Sequence, residues 1–172
     1  NVQERLDERV DRGTNRSIVI GISSRSGTHY LKSGTFREGD TRQTNKRSVF
    51  ETASITEIFT VLAASICVEN RLFSWEDSIG ELLGTDWKIP EFEGAKISIQ
   101  HLAHHSSGLP GLPDDYTPSS NFTPLSDYTR ADLMEFISGY SLLVKPGSRP
   151  EHSMIGMALL GFAIEAKTGL NI

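Results

Sequence analysis

A serine and a glutamate three residues apart are the first side chains in the sequence that could do chemistry together. Ser54 lies where an extended segment, Ser48 to Thr52, is predicted to enter a helix, and Glu57 follows one helical turn later. Unpaired backbone N–H groups and the positive end of the helix dipole favour an alkoxide or oxyanion at such a helix start. Ser54 is therefore a candidate nucleophile, provided that a neighbouring base takes its proton.

The same spacing also fits a capping box, in which the two side chains only stabilise the helix N-terminus. An apolar face follows the pair, and Asn70 is a suitable helix end. The residues of that face recur at helical spacing: Ile55, Ile58, Phe59, Leu62 and Ile66. The pattern predicts the helix firmly, but it leaves both the nucleophile and the capping interpretation open.

The other reactive side chains are assigned structural roles. Cys67 is the only cysteine, so an internal disulfide is excluded, and its place in the same helix predicts a small buried hydrophobe. His101, His104 and His105 lie on a predicted helix without the carboxylates or cysteines of a metal-ligand pattern, which favours packing and capping. We predict no metal site and no cofactor.

Composition and charge exclude several classes of function. The chain has 172 residues and a net charge of -5 with dispersed Lys and Arg, so no basic surface for nucleic acid is expected. No apolar run reaches membrane-spanning length. The composition is typical of a soluble globular protein with one core.

The elements that must position Ser54 are visible as periodic segments. Helices are predicted over Val2 to Arg12 and Thr129 to Ile137, and at the start of Ile97 to Pro110, with a buried helix over Met154 to Lys167. Two strands, Ser17 to Ser23 and Thr28 to Phe36, flank a turn, and Ser74 is predicted to cap a short helix. The aperiodic stretch from Pro110 to Pro124 is predicted to be a surface loop or a lid.

Three segments, in the same order, resemble the motifs of the serine β-lactamase and penicillin-binding-protein family, particularly its class C and esterase-like branch. Val49 to Thr60 is similar to the nucleophile segment, Ile97 to Pro110 to a helix with a Ser-Gly-Leu-Pro turn, and Lys145 to Gly161 to the Tyr-x-Asn loop and its helix. The resemblance implies an α+β, DD-peptidase-like fold with N-terminal strands and a large helical region. We expect one domain over residues 1–172, lacking the family's C-terminal sheet strands and hence incomplete at its C-terminus.

The resemblance also places three departures at the family's functional positions. Glu57, His152 and Met154 stand where the family has lysine, tyrosine and asparagine. There the lysine and tyrosine move the serine's proton and the asparagine binds the substrate amide, a hydrogen bond that Met154 cannot make. An imidazole is a better base near neutral pH than a carboxylate. The resemblance therefore implies a set in which Ser54 is the nucleophile, His152 the base and Glu57 the orienting carboxylate, with Met154 in the substrate-binding position.

Two functions are consistent with this set. The first is a serine hydrolase or acyltransferase that forms an acyl-enzyme on Ser54 with a small ester or amide. The second is a catalytically silent binding protein that uses the same groove. We expect a small-molecule partner, no nucleic acid and no membrane span, with a second segment or chain completing the sheet. The compartment is not predicted, although the resemblance is compatible with the periplasm or secretion.

Overall fold

The computed structural model describes residues 1–114, 116–118 and 126–171. The chain forms two compact units, Asn1–Thr52 and Ala53–Ile172, and each is described by itself. Part of the stretch predicted to be a loop or lid, at residues 115 and 119–124, lies outside the described residues.

The first unit is a helix packed on a β-hairpin. Helix α1 (Val2–Asp11) packs against the hairpin with Leu6 buried. Strands β1 (Ser17–Ser24) and β2 (Gly27–Gly34) pair antiparallel along their whole length. In the described part of the chain the sheet has these two strands, and a two-stranded sheet is marginally stable on its own.

The second unit is helical and is organised around its last helix. Its helices are α2 (Ile55–Glu69), α3 (Ile79–Leu83), α4 (Ile99–Ala103), α5 (Arg130–Gly139) and α6 (Met154–Thr168). Helix α6 contacts α2, α3 and α4, and seven of its 15 residues are buried, in agreement with the buried helix that its apolar sequence predicts. Ile79, Ile97, Leu102, Leu159 and Leu160 form the centre of this core with no accessible surface.

Helix α2 exposes the apolar face that its sequence pattern defines. The five side chains of that face, Ile55, Ile58, Phe59, Leu62 and Ile66, are 54–67% exposed. The opposite side of the helix packs into the core through smaller residues, with Ala64 and Cys67 buried. Helical spacing identifies the stripe, but it does not say which side of the helix meets the core.

The predicted α+β architecture of N-terminal strands followed by a large helical region is confirmed. Helix α2 ends at Asn70 as predicted, but the predicted start of the next helix at Ser74 is wrong. The Ser74 backbone N–H and hydroxyl both donate to the Asp77 carboxylate at 2.8 Å, forming a turn, and α3 begins only after Ser78. The longest described helices have 15 residues, so the described chain contains no helix that could cross a bilayer.

The turn after α4 depends on a glycine. Gly108 has φ +81°, and a Cβ there would lie 3.0 Å from the Val144 carbonyl oxygen. Gly108→Ala combines a left-handed backbone that costs about 1–2 kcal/mol with a backbone clash, so we expect a loss of about 2 kcal/mol or more in the free energy of unfolding. Urea denaturation measures this. The control is Gly139→Ala, where a Cβ meets nothing within 4 Å. Equal stability of the two variants would contradict this role of Gly108.

Candidate active site

Ser54 is an exposed residue at the N-cap position of the 15-residue helix α2. Its backbone is already helical, with φ -63° and ψ -11°, and it follows Ala53, which has the left-handed value φ 47°. The Ser54 side chain makes no capping hydrogen bond to the described residues. The capping-box interpretation of its hydroxyl is therefore wrong, and the hydroxyl is left accessible at the positive end of the α2 dipole.

Glu57 lies one turn further along the same helix face, with its side chain only 19% exposed. Together with Ser54 it lines a pocket of about 290 Å³ whose walls include Ile58, His105 and Met157. The hydroxyl and the carboxylate therefore open onto the same space. This is the arrangement that the interval of three residues on a helix produces.

A loop before α6 brings His152 to Glu57 across 95 residues of sequence. The Nε2 atom of His152 lies 2.9 Å from Oε1 and 3.1 Å from Oε2 of Glu57. An ionised carboxylate only accepts hydrogen bonds, so Nε2 carries the proton and Nδ1 is the basic nitrogen of the neutral ring. The predicted pairing of the carboxylate with the imidazole is thus present in the geometry.

Contacts with the turn after α4 hold that loop in place. The Ser153 hydroxyl donates to the Pro110 carbonyl at 2.7 Å, and the Glu151 and Met154 backbone N–H groups donate to the His105 and Gly111 carbonyls at 2.6 and 3.1 Å. Ser153 is completely buried and also caps α6 by accepting from the Gly156 N–H. His152, although its side chain is 53% exposed, therefore projects from a fixed backbone.

The Ser54 hydroxyl makes no hydrogen bond to the described imidazole–carboxylate pair. The hydrogen bonds of the described residues include none from the Ser54 hydroxyl to Glu57 or His152. The structure brings Ser54 and Glu57 to one pocket and Glu57 and His152 into contact.

His105 joins this site although its sequence context predicted packing or capping. Its Nε2 atom lies 3.3 Å from Glu57 Oε2, and its ring centroid is 4.7 Å from that of His152. The ligand atoms of Glu57, His105 and His152 all lie within 4.8 Å of one another, so these three residues are the described group that could hold a cation. In the sequence, the position of His105 directly before the Ser-Ser-Gly turn was the one feature that could have indicated its place in the site.

The remaining predicted residues lie elsewhere. Met154 begins α6, and its side chain lines a separate apolar pocket with Leu112, Pro113 and Phe162. His101 completes a capping box with Ser98 at the start of α4, and burial lowers the pKa of its imidazole. The predicted structural role of His101 is thus confirmed.

The predicted buried character of Cys67 is also confirmed. Its side chain is 4% exposed in the core, and burial raises the pKa of its thiol. A thiol that is held protonated is a weak nucleophile. Cys67 therefore belongs to the packing of α2 and takes no part in the site.

Two curated relatives share sequence with most of this chain. Penicillin-binding protein 4* of Bacillus subtilis (strain 168) is 28% identical over 133 residues, covering 76% of this chain and 28% of its own length. Beta-lactamase-like protein str5 of Strobilurus tenacellus is 29% identical over 170 residues, covering 84% of this chain and 61% of its own. The chain thus spans less than two thirds of the length of either relative.

Solved structures share the fold over nearly the whole chain. The octameric penicillin-binding protein homologue from Pyrococcus abyssi has a TM-score of 0.79 at 24% identity, covering 99% of this chain and 39% of that one. EstCE1, a hydrolase with promiscuous acyltransferase activity, has a TM-score of 0.78 at 21% identity, covering 99% and 47%. The sequence model of the Beta-lactamase family matches residues 2–171. The chain belongs to the β-lactamase family.

Proposed function

We propose that this protein is a serine hydrolase or acyltransferase that forms an acyl-enzyme on Ser54 with a small ester or amide. The observation that carries the proposal is the Glu57–His152 pair, hydrogen-bonded at 2.9 Å, one helical turn from an exposed hydroxyl in a shared pocket. Family membership supports the reaction class. So does the acyltransferase activity stated for EstCE1, which shares the fold.

In the acylation step, the Ser54 hydroxyl oxygen attacks the substrate carbonyl carbon. Its proton passes to His152 Nδ1, because Glu57 holds the proton on Nε2. The Glu57 carboxylate stabilises the imidazolium that forms, and the N-terminus of α2 lies beside the developing oxyanion. The imidazolium then protonates the leaving alkoxide or amine, which leaves Ser54 acylated. Catalytic hydrogen bonds often tighten only when substrate binds, so we expect the Ser54–His152 contact in the substrate complex.

The second half-reaction reverses these roles. His152 Nδ1 takes a proton from a water molecule, whose oxygen attacks the acyl carbon, and the proton then returns to the Ser54 oxygen as the acid leaves. An alcohol or amine in place of water gives acyl transfer instead of hydrolysis. The choice between water and another acceptor depends on what fills the open pocket beside Ile58.

One observation favours the second candidate, a catalytically silent binding protein. In the described structure the Ser54 hydroxyl has no hydrogen bond to a base. In that case the Glu57, His105 and His152 cluster only ties the loop before α6 to α2. The groove would then bind a small molecule without turnover.

We also propose that a further segment or a second chain covers the apolar face of α2 and an edge of the hairpin. Five large apolar side chains on one helix face are more than half exposed, and contiguous patches of this kind mark interaction sites. In the first unit, the described hairpin likewise presents unpaired strand edges, which promote pairing with other strands.

We expect an activated fluorophosphonate probe to label Ser54 alone, because its exposed hydroxyl lies at the start of α2, shares a pocket with Glu57 and makes no capping hydrogen bond to the described residues. Peptide mapping of the labelled protein by mass spectrometry locates the adduct. Ser54→Ala should abolish labelling, and Ser148→Ala, at an exposed turn serine, should not change it. Label on another serine would overturn the assignment.

Variants of the paired residues separate the hydrolase from the silent binder. If the three residues act as one unit, His152→Ala should lower kcat/KM for a chromogenic ester roughly 10³-fold or more, about as much as Ser54→Ala. Glu57→Gln should lower kcat/KM by less than His152→Ala does, but still by at least about tenfold, because it removes the charge that stabilises the imidazolium. Thermal unfolding of each variant controls for loss of structure. Full esterase activity in His152→Ala would rule out the mechanism and favour the binding protein.

The exposed face of α2 predicts self-association of the isolated chain. Leu62→Lys should shift sedimentation towards monomer, because a charge on the face opposes burial. It should leave the unfolding temperature nearly unchanged, since Leu62 is 54% exposed. Ser138→Lys on α5 adds the same charge at another exposed helical position and should have no effect. A monodisperse monomer with an unmodified α2 face would refute the proposed cover.

A further inference from the structure

The proton on His105 can be placed from its hydrogen bonds. The backbone N–H of Ser153 donates to His105 Nδ1 at 3.2 Å. A backbone N–H has no lone pair to offer, so Nδ1 must present its own lone pair and cannot carry a proton while this bond exists. Neutral His105 therefore holds its proton on Nε2.

The protonated nitrogen points at the candidate site. His105 Nε2 lies 3.3 Å from Glu57 Oε2, and the two side chains are 23% and 19% exposed. His152 Nε2 approaches the same carboxylate at 2.9 and 3.1 Å. Glu57 is thus hydrogen-bonded to one imidazole, from the loop before α6, and lies 3.3 Å from the Nε2 atom of a second imidazole, from the turn after α4.

The backbone of His105 fixes this geometry. His105 has the left-handed value φ 53° and its carbonyl accepts from the Glu151 N–H at 2.6 Å. Histidine, asparagine and aspartate are enriched in this conformation among residues other than glycine. Both hydrogen bonds to the 151–153 loop come from one residue, so the orientation of the ring is tied to the position of His152.

We propose that His105 is a positioning residue that clamps Glu57 through a fixed Nε2–H tautomer. The clamp leaves Glu57 aligned to hold His152 Nε2–H, so that the basic Nδ1 of His152 is the nitrogen available for proton transfer. The catalytic consequence rests on the function proposed above. The clamp itself concerns which ring nitrogens of His105 and His152 carry protons, so it can be tested without catalytic turnover.

A divalent metal is the competing use of the same three side chains. Their ligand atoms lie within 4.8 Å of one another, and two imidazoles with a carboxylate suit zinc. A metal at His105 Nε2 needs the lone pair there, and a ligating histidine donates its other N–H to an acceptor. Ser153 donates to that other nitrogen instead. The clamp and a metal centre therefore require opposite tautomers of His105.

Nuclear magnetic resonance of ¹⁵N-histidine-labelled protein tests the tautomer directly. We expect His105 to show an unprotonated Nδ1 and a protonated Nε2, with no change when one equivalent of ZnCl₂ is added. His105→Gln supplies the assignment by removing its signals. A protonated Nδ1, or stoichiometric zinc binding that shifts His105 Nε2, would overturn the clamp whether or not Ser54 is a nucleophile.

Two substitutions separate the two side-chain contacts of His105, the hydrogen bond from Ser153 and the 3.3 Å polar contact with Glu57. The amide nitrogen of glutamine in His105→Gln reaches the place of Nε2 and keeps a donor to Glu57. The amide oxygen of asparagine in His105→Asn takes the place of Nδ1 and keeps an acceptor for Ser153. Asparagine is also more compatible than glutamine with the left-handed backbone at position 105. We expect a crossed result, with His105→Asn the more stable variant and His105→Gln the more active one.

For ester hydrolysis, His105→Asn should lose roughly 10- to 100-fold in kcat and His105→Gln less than about fivefold, as expected for one polar contact with a charged group. The ¹⁵N shift of His152 Nε2 should move in His105→Asn and stay in His105→Gln, a readout that survives if the protein has no hydrolase activity. The same substitutions at the exposed neighbour His104 are the controls. The contrary result is a ¹⁵N shift of His152 Nε2 that stays closer to the wild-type value in His105→Asn than in His105→Gln. His105 would then only support the loop, and the proposed clamp would be wrong.

Discussion

The pairing between the turn after α4 and the loop before α6 is the constraint on which the site depends. Ser153 is its centre: the buried hydroxyl donates to Pro110 and accepts from Gly156, and the backbone N–H donates to His105. One serine therefore starts the central helix, anchors the loop to the turn and selects the tautomer of His105. The position of His152 follows from these bonds, because it directly precedes Ser153 on a backbone with little remaining freedom.

The Glu57 carboxylate and its two histidine neighbours are physically matched. A carboxylate at Glu57 needs hydrogen-bond donors when it is partly buried, and unpaired burial of a charge is costly. His152 and His105 both direct Nε2 at it. Charge and hydrogen bonding thus balance within the cluster. A partly buried glutamate without these two neighbours would lack that balance, so the Glu57 side chain depends on His152 and His105.

The sequence predicted those parts of the fold that depend on local patterns. The apolar run over α6 predicted a buried helix, and the C-terminal end of α2 was predicted to within one residue, at Asn70. It also predicted the contact between Glu57 and His152, through the family resemblance. Two other features depend on long-range contacts and were not predicted from the sequence. The side of α2 that meets the core is set by packing against α6, and His105 entered the site only because Ser153 orients its ring.

The open face of α2 and the candidate site are parts of one surface. Ile58 is 67% exposed on that face and also forms a wall of the pocket that contains Ser54 and Glu57. Any segment that packs on Ile58 therefore also closes the pocket on that side and excludes water from it. Exclusion of water strengthens the charge interactions between Glu57 and its imidazole partners. Under the proposed function, the identity of a covering segment would determine both the shape available to an acyl group and the choice between water and another acceptor. Specificity would then depend on what covers α2, whereas the proposed proton transfer involves only Ser54, Glu57 and His152 of the second unit.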